Sequence, residues 1–288
     1  MSGKKKNGVF SKFIDWITLS VMSLFSGKLK KSMIAEQYEI NKEEWKRLSP
    51  GLAASGGFIE KQSELSGIKY GTNKGRIGKK LFDGREMNGS DNTCEVIAVY
   101  NAMQYIFRAE TVGDAKNEMS ADAAGTASVN ATVKLPGLPE LLRSFSKKGI
   151  AYKGMFGTNP RALKKYLREK GYTVEELKAS KINQKNCESF EKEYSVFVFT
   201  TFNKGQNPFS MVHTMCITAE DQSDSSVKTG ATDNRDASDM DEAPNKGIVK
   251  YQIHNDYEGS KCYDSLYEAV TGYNEGKGHP LYLLAVKK

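Results

Sequence analysis

The order of secondary-structure patterns along the chain is the strongest constraint on its fold. Helical patterns come first, over 93–108, from Pro136 to Gly149, and from Asn159 to Gly171. Four apolar segments typical of strands follow, at 194–202, 211–219, 248–255 and 281–286. Helices followed by strands indicate an α+β domain, in which helices pack on an antiparallel sheet.

Cys94 stands at the predicted start of the first helix. The polar segment 88–95 is typical of a turn, and the apolar segment 96–103 is typical of a helix. With Asn92 as the N-cap, Glu95 is the third helical residue, as in a capping box. The helix dipole and the free N–H groups there favour a thiolate, the nucleophilic form of cysteine. Taken alone, Cys94 fits better as a small buried residue of a core helix, so a catalytic role requires partner residues.

A histidine partner for this cysteine is expected on the predicted sheet. The chain contains three histidines, which are His213, His254 and His279. The first two lie on the strand-like segments 211–219 and 248–255, and the third lies in a predicted turn. We expect the two segments to pair as antiparallel strands.

The register of that pair decides what His213 meets. Pairing residue 219 with residue 248 places His213 opposite His254, and a slip of one residue places it opposite Asn255. In both registers His213 meets the 254–256 end of the other strand. A cysteine, a histidine base and an amide or carboxylate that orients the histidine are the parts of an activated thiol nucleophile.

The order Cys, His, Asn resembles that of the papain-like cysteine peptidases, in particular the bacterial enzymes that process double-glycine leader peptides. The resemblance rests on segments 92–102, 211–214 and 251–255, and it extends from about residue 81 to the C-terminus. It implies an α+β, papain-like fold, in which the nucleophile helix packs on a C-terminal antiparallel β-sheet. It also implies a peptidase that acts through a thioester intermediate.

The resemblance assigns a role to each matching residue. It implies that Cys94 is the nucleophile, His213 the base and Asn255 the residue that orients the base. Asn88 stands six residues before the cysteine, where the family usually has a glutamine whose amide forms the oxyanion hole. Some relatives use an aspartate as the orienting residue, so Asp256 is the alternative to Asn255.

The chain is predicted to have three parts. Residues 1–35 form a basic amphipathic segment, 36–80 an irregular linker or wrapping segment, and 81–288 the peptidase domain, with a flexible acidic loop over 220–247. Apolar residues of the first part recur at spacings of three and four: Phe10, Phe13, Ile14, Ile17, Val21, Leu24 and Phe25. This segment is too short and too charged to span a bilayer. It suits an anionic membrane surface, through residues 10–31, or docking on the catalytic domain or on a second subunit.

Charge and cysteine content limit the partners. Residues 1–31 hold seven lysines and one aspartate, a charge of +6 within the net +7, so the remainder lacks the basic stripe of a nucleic-acid-binding protein. Four scattered cysteines indicate free thiols in a reducing compartment, with Cys187 expected to be exposed and Cys216 buried. No metal or cofactor is predicted, because residues three apart on a strand, such as His213 and Cys216, point to opposite faces. We expect a cytoplasmic protein with a peptide or protein substrate, and secretion is disfavoured.

Two other functions are compatible with the same residues. An acyltransferase or deamidase would use the same triad with an amine acceptor or a side-chain amide substrate. A non-catalytic binding module would keep the fold without turnover, docked on a membrane or a partner. The sequence does not reveal the oligomeric state.

Overall fold

The computed structural model describes residues 26–72, 92–118, 135–154, 157–203, 212–221, 249–256, 261–276 and 278–288. Within these ranges the chain forms six α-helices: α1 (Lys31–Leu48), α2 (Cys94–Glu118), α3 (Leu138–Lys147), α4 (Pro160–Glu169), α5 (Gln184–Glu191) and α6 (Leu266–Gly272). The strands are β1 (Ser26–Gly27), β2 (Ile150–Ala151), β3 (Thr173–Lys178), β4 (Val196–Asn203), β5 (Val212–Asp221), β6 (Val249–His254), β7 (Cys262–Tyr263) and β8 (Gly278–Lys287).

Six strands form one antiparallel sheet in the order β3-β8-β4-β5-β6-β7, and β1 pairs with β2 in a separate two-stranded sheet. The expected α+β class is therefore confirmed. The three predicted helices and four predicted strands all occur, although α2 continues to residue 118 rather than ending near 108. Asn159, where the third helical pattern begins, caps α4, because its side chain accepts a hydrogen bond from the N–H of Arg161 at 2.9 Å.

The two faces of the sheet bury separate apolar cores. On one face, α2, α3 and α4 pack on β4, β5 and β8, and Val198 and Cys216 belong to this core. On the other face, α5 and α6 pack on residues such as Met215 and Ile217. Because successive side chains of a strand point to opposite faces, even-numbered residues of β5 face α2 and odd-numbered residues face α6.

The N-terminal part of the described chain packs on α2. The boundary expected between residues 35 and 36 lies inside α1, so these positions belong to one helix. Further on, the buried Asn101 of α2 accepts from the N–H of Ile59 at 2.9 Å and donates to its carbonyl at 3.0 Å. None of the described helices is both long and apolar enough to cross a bilayer.

The Asn101 contact provides a stability prediction. Replacing Asn101 with alanine leaves the buried N–H and C=O of Ile59 without a partner, which we expect to lower the free energy of unfolding by about 2–5 kcal/mol. Urea unfolding measures the difference. The matched control is Gln104→Ala, which loses only a side-chain bond to Tyr100 and should cost less than about 1 kcal/mol. Equal losses in the two variants would contradict the prediction.

Candidate functional site

Cys94 is the first residue of α2. The Thr93 carbonyl accepts the first helical hydrogen bond, from the N–H of Ile97 at 2.9 Å, so Thr93 and not Asn92 is the N-cap. The predicted asparagine capping box is therefore wrong, and Glu95 is the second helical residue. The Asn92 amide instead donates to the carbonyls of Tyr70 and Gly154, which fixes the residues before the helix.

The Cys94 sulfur meets a main-chain N–H of β5 next to His213. The backbone N–H groups of Thr214 and Glu95 lie close enough to Cys94 Sγ to lower the pKa of its thiol. Cys94 is only 7% exposed, so the sulfur lies between the start of the helix and the strand. The structure thus places Cys94 against the residue that follows His213.

The direction of the Thr214 N–H explains why the sulfur can reach it. The N–H of Ala219 donates to Ser195 before β4, and N–H groups alternate sides along a strand, so the N–H of Thr214 points away from β4 toward β6. The pairing of β5 with β6 ends at Cys216. Cys94 therefore occupies the edge of β5 that β6 leaves open.

His213 is buried and held by Asn255. Its Nε2 lies 2.8 Å from the main-chain oxygen of Asn255. Because a carbonyl only accepts, Nε2 carries the proton in the neutral ring and the lone pair lies on Nδ1, the ring nitrogen closer to the strand backbone. Residue 213 has an odd number, so its side chain starts on the face opposite the α2 core, whereas Cys94 approaches at the strand edge.

Asn255 contacts the imidazole through its backbone and not through its amide. The Asn255 Oδ1 accepts from the N–H of Gln62 at 2.9 Å, and its Nδ2 has no hydrogen-bond partner in the described structure. Its φ of 63° turns the chain at the end of β6, which aims the carbonyl at His213. The amide–imidazole contact implied by the resemblance is thus replaced by a carbonyl–imidazole contact.

Both expected registers of the β5–β6 pair are wrong. The observed register places Cys216 opposite His254 and Ile217 opposite Ile253. This arrangement buries both isoleucines in the core that faces α6. Residues 222–248 separate the strands, so no tight turn fixes the register and apolar burial decides it.

Burial keeps Cys94 and His213 neutral in this structure. Burial and the neighbouring Glu95 charge raise the pKa of the Cys94 thiol well above its ordinary range, although the Thr214 N–H lowers it. Burial lowers the pKa of His213 to about 4, against the opposing effect of the Asn255 carbonyl. The ground state therefore contains a thiol and a neutral imidazole rather than an ion pair.

Glu95 is a buried carboxyl beside the Cys94 thiol. From the sequence, Glu95 was predicted only to be a capping residue. Burial raises its pKa to about 7, although its own N–H, Cys94 and the Thr158 N–H lower it. Its Oε2 has no hydrogen-bond partner among the described groups. Gly157, with a φ of +65°, leaves room for this carboxyl, because a Cβ there would lie 2.5 Å from Oε2.

His254 and His279 lie in other parts of the fold and are not among the residues proposed from the sequence for the site. His254 is buried, with Nε2 at 2.8 Å from Thr218 Oγ1 and Nδ1 at 2.7 Å from Glu60 Oε1, and the Phe58 ring stacks on it. These contacts join segment 58–60 to the sheet. His279 lies in β8, so the predicted turn at this position is wrong.

The remaining predicted residues differ in outcome. Cys216 is buried as expected. Cys187 is also fully buried, because α5 directs its side chain into the core that faces α6, so the prediction that Cys187 is exposed is wrong. Cys262 is the exposed thiol among the four cysteines. Asn88 and the acidic loop over 220–247, apart from its first residues, lie outside the described residues.

Sequence reasoning missed two polar residues on the His213 face of β4. Thr201 pairs directly with His213, and Asn203 lies two residues further along the same face. Both are fully buried, and the Thr201 hydroxyl and both polar atoms of the Asn203 amide have no partner in the part of the chain that the structure describes. The sequence contains a signal for these residues, because polar positions interrupt the apolar pattern of 196–202.

No family model matches the chain, and no curated protein or solved structure matches it either.

Proposed function

We propose that this protein is a cysteine-dependent hydrolase of peptide bonds, with Cys94 as nucleophile and His213 as general base. One observation carries the proposal: the backbone N–H of Thr214, the residue that follows His213 on β5, acts on Cys94 Sγ, and the Asn255 carbonyl leaves the basic lone pair of His213 on Nδ1. A thiol, a base and a group that fixes the tautomer of the base are the parts that covalent acyl transfer requires.

The first half of the proposed reaction forms a thioester. His213 Nδ1 takes the thiol proton as Sγ attacks the peptide carbonyl carbon, because both groups are neutral beforehand. The N–H of Cys94 donates to the oxyanion, with Asn88 as the second donor by the resemblance. The C–N bond then breaks, and the Nδ1 proton passes to the leaving amine.

The second half consumes water. Nδ1 takes a proton from a water molecule, whose oxygen attacks the thioester carbonyl. The C–S bond breaks, the carboxylic acid leaves, and the sulfur regains the proton from Nδ1. The Asn255 carbonyl accepts the Nε2 hydrogen throughout and stabilises the imidazolium while it exists.

A non-catalytic binding module is the second candidate. Its support is the burial of Cys94 together with the adjacent Glu95 carboxyl, which disfavours the thiolate. In that case Cys94 is a core residue at the start of α2, and the buried groups of the His213 face are structural. The two candidates differ in whether Cys94 reacts in the folded protein.

Covalent trapping tests the proposal. The folded protein is treated with a set of short peptidyl chloromethyl ketones, and the modified residue is identified by mass spectrometry. We expect alkylation of Cys94 that saturates with reagent concentration, because the peptide portion binds before the sulfur reacts. Cys94→Ala should abolish both this modification and the cleavage of a peptide library.

The exposed Cys262 is the internal control. It should react in proportion to reagent concentration, and equally with simple iodoacetamide, because no binding site positions the reagent there. Modification of Cys262 with no modification of Cys94, in protein shown to be folded by circular dichroism, would favour the binding module and contradict the hydrolase.

A further inference from the structure

A second set of contacts joins His213 to the helix that carries Cys94. Asn255 bonds to His213 Nε2 through its main-chain carbonyl, at 2.8 Å, and its side-chain Oδ1 accepts the N–H of Gln62 at 2.9 Å. Residues 59–62, which we call the linking segment, run from this contact to α2. The imidazole and the nucleophile helix are therefore connected through the linking segment as well as through the sheet.

The linking segment is fixed to α2 at its first residue. Ile59 is buried in the same core as α2, and the fully buried Asn101 side chain bonds to both its N–H and its carbonyl, at 2.9 and 3.0 Å. Asn101 follows Cys94 by seven residues, which is about two turns of helix, so the two residues lie on the same face of α2. The linking segment thus begins on the face of the helix that carries the thiol.

The other end of the linking segment is capped by Asn255. Gln62 is the first residue of a 3₁₀ helix over Gln62–Leu65, and the first N–H groups of a helix have no partner inside it. The Asn255 Oδ1 satisfies one of these N–H groups from the end of β6. Asn255 is only 3% exposed, so water competes little for this hydrogen bond.

The Asn255 turn lies just beyond the paired part of the sheet. The β5–β6 ladder ends with the pair of Cys216 and His254, so Asn255 lies outside it. Its φ of 63° is a left-handed conformation that asparagine adopts more readily than most residues with a side chain. Among the described residues, the bond with Gln62 is the only hydrogen bond of its side chain. The side chain therefore anchors the turn from which the carbonyl reaches His213.

We propose that the Asn255 side chain is a positioning residue, which holds the His213 ring in place relative to the Cys94 helix through Gln62 and the linking segment. The inference rests on the proposed function, in which His213 Nδ1 accepts the Cys94 proton. A displacement of about 1 Å between reacting groups can slow a reaction by about 10²-fold, so a fixed turn at residue 255 matters for the rate. The Asn255 amide thus orients the imidazole without touching it.

Asn255→Gly tests the proposal, because glycine keeps the main-chain carbonyl and readily adopts a φ of 63° but cannot bond to Gln62. We expect the His213 Nε2 hydrogen to exchange with solvent about tenfold faster or more, measured by NMR, because its carbonyl partner is no longer held. Single-turnover acylation of Cys94 should slow by about 10–100-fold. Asn255→Asp keeps an oxygen that accepts the Gln62 N–H and should recover most of both losses.

A second variant, Asn101→Ala, releases the other end of the linking segment, and it has a matched control. Asn41 is also a buried asparagine whose side chain bonds to both the N–H and the carbonyl of one residue, Lys69, at 2.6 and 2.8 Å. Lys69 lies outside the linking segment. We expect Asn101→Ala to speed the exchange of the His213 Nε2 hydrogen, and Asn41→Ala to leave it within about twofold of the unmodified protein.

The outcomes separate this inference from the proposed function. Equal acceleration of exchange in Asn101→Ala and Asn41→Ala would reduce the effect to general stability and overturn the positioning role. A folded Asn255→Gly protein with unchanged exchange, or with faster exchange and an unchanged acylation rate, would also overturn it. If the unmodified protein does not acylate at Cys94, the hydrolase fails, and the exchange rates alone decide whether the linking segment holds the His213 ring.

Discussion

Replacing His213 with alanine is expected to slow acylation of Cys94 by a peptide electrophile by about 10²–10⁴-fold, the usual contribution of a general base. The imidazole is buried and neutral above about pH 4, so it can accept the thiol proton across the physiological range. The variant lacks the group that is proposed to accept the thiol proton. The measurement is the rate of single-turnover acylation at pH 7.

The other two histidines supply the controls. His279→Ala changes a residue of β8 and should leave the rate within about twofold of the unmodified protein. His254→Ala should lower stability, because it removes the contacts with Thr218 and Glu60, and should affect acylation only as far as it unfolds the protein. A His213→Ala protein that remains folded and acylates at the original rate would remove His213 from the proposed mechanism.

The order of elements was predictable from sequence because it depends on local apolar periodicity. The helix that begins at Cys94 and the strand that carries His213 each have a continuous apolar pattern. β3 was missed because it is an edge strand in which only Val174 and Leu177 are buried. α5 was missed because its sequence is polar, and its one fully buried side chain is Cys187.

The candidate site was predictable only in its components. Sequence predicted that Cys94, His213 and Asn255 act together. The structure shows the contact between the last two, and it uses a backbone carbonyl, which no side-chain pattern reports. The register of the β5–β6 pair also depends on which isoleucines share a core. Because residues 222–248 separate the two strands, the sequence contains no turn from which that register could be predicted. Glu95 was taken for a cap because its burial arises from Gly157 and Thr158, which are distant in sequence.

Glu95 is the source of the second large effect that we expect. Burial raises its pKa to about 7, so the folded protein binds its proton more tightly than the unfolded chain does. That contribution to stability is fully present below about pH 4.5 and is lost as the pH rises through about 7. The charged carboxylate therefore destabilises the native state at pH 8.

Glu95→Gln removes the titration and keeps the shape. We expect the variant to be more stable than the unmodified protein at pH 8 by up to about 3 kcal/mol, with the gain shrinking toward pH 5. Because the Glu95 charge also raises the pKa of Cys94, the variant should alkylate faster at Cys94 at pH 8. Urea unfolding at the two pH values and the alkylation rate measure the two effects.

The exposed Glu64 is the matched control, because Glu64→Gln removes the same charge from a site where water solvates it. Its effect on stability should stay within about 0.5 kcal/mol at both pH values. If Glu95→Gln and Glu64→Gln behave alike, the carboxyl beside Cys94 is not buried in its charged form, and the raised thiol pKa loses its electrostatic cause. If instead the stability gain appears without faster alkylation, Glu95 governs folding alone, and the sulfur owes its low reactivity to burial.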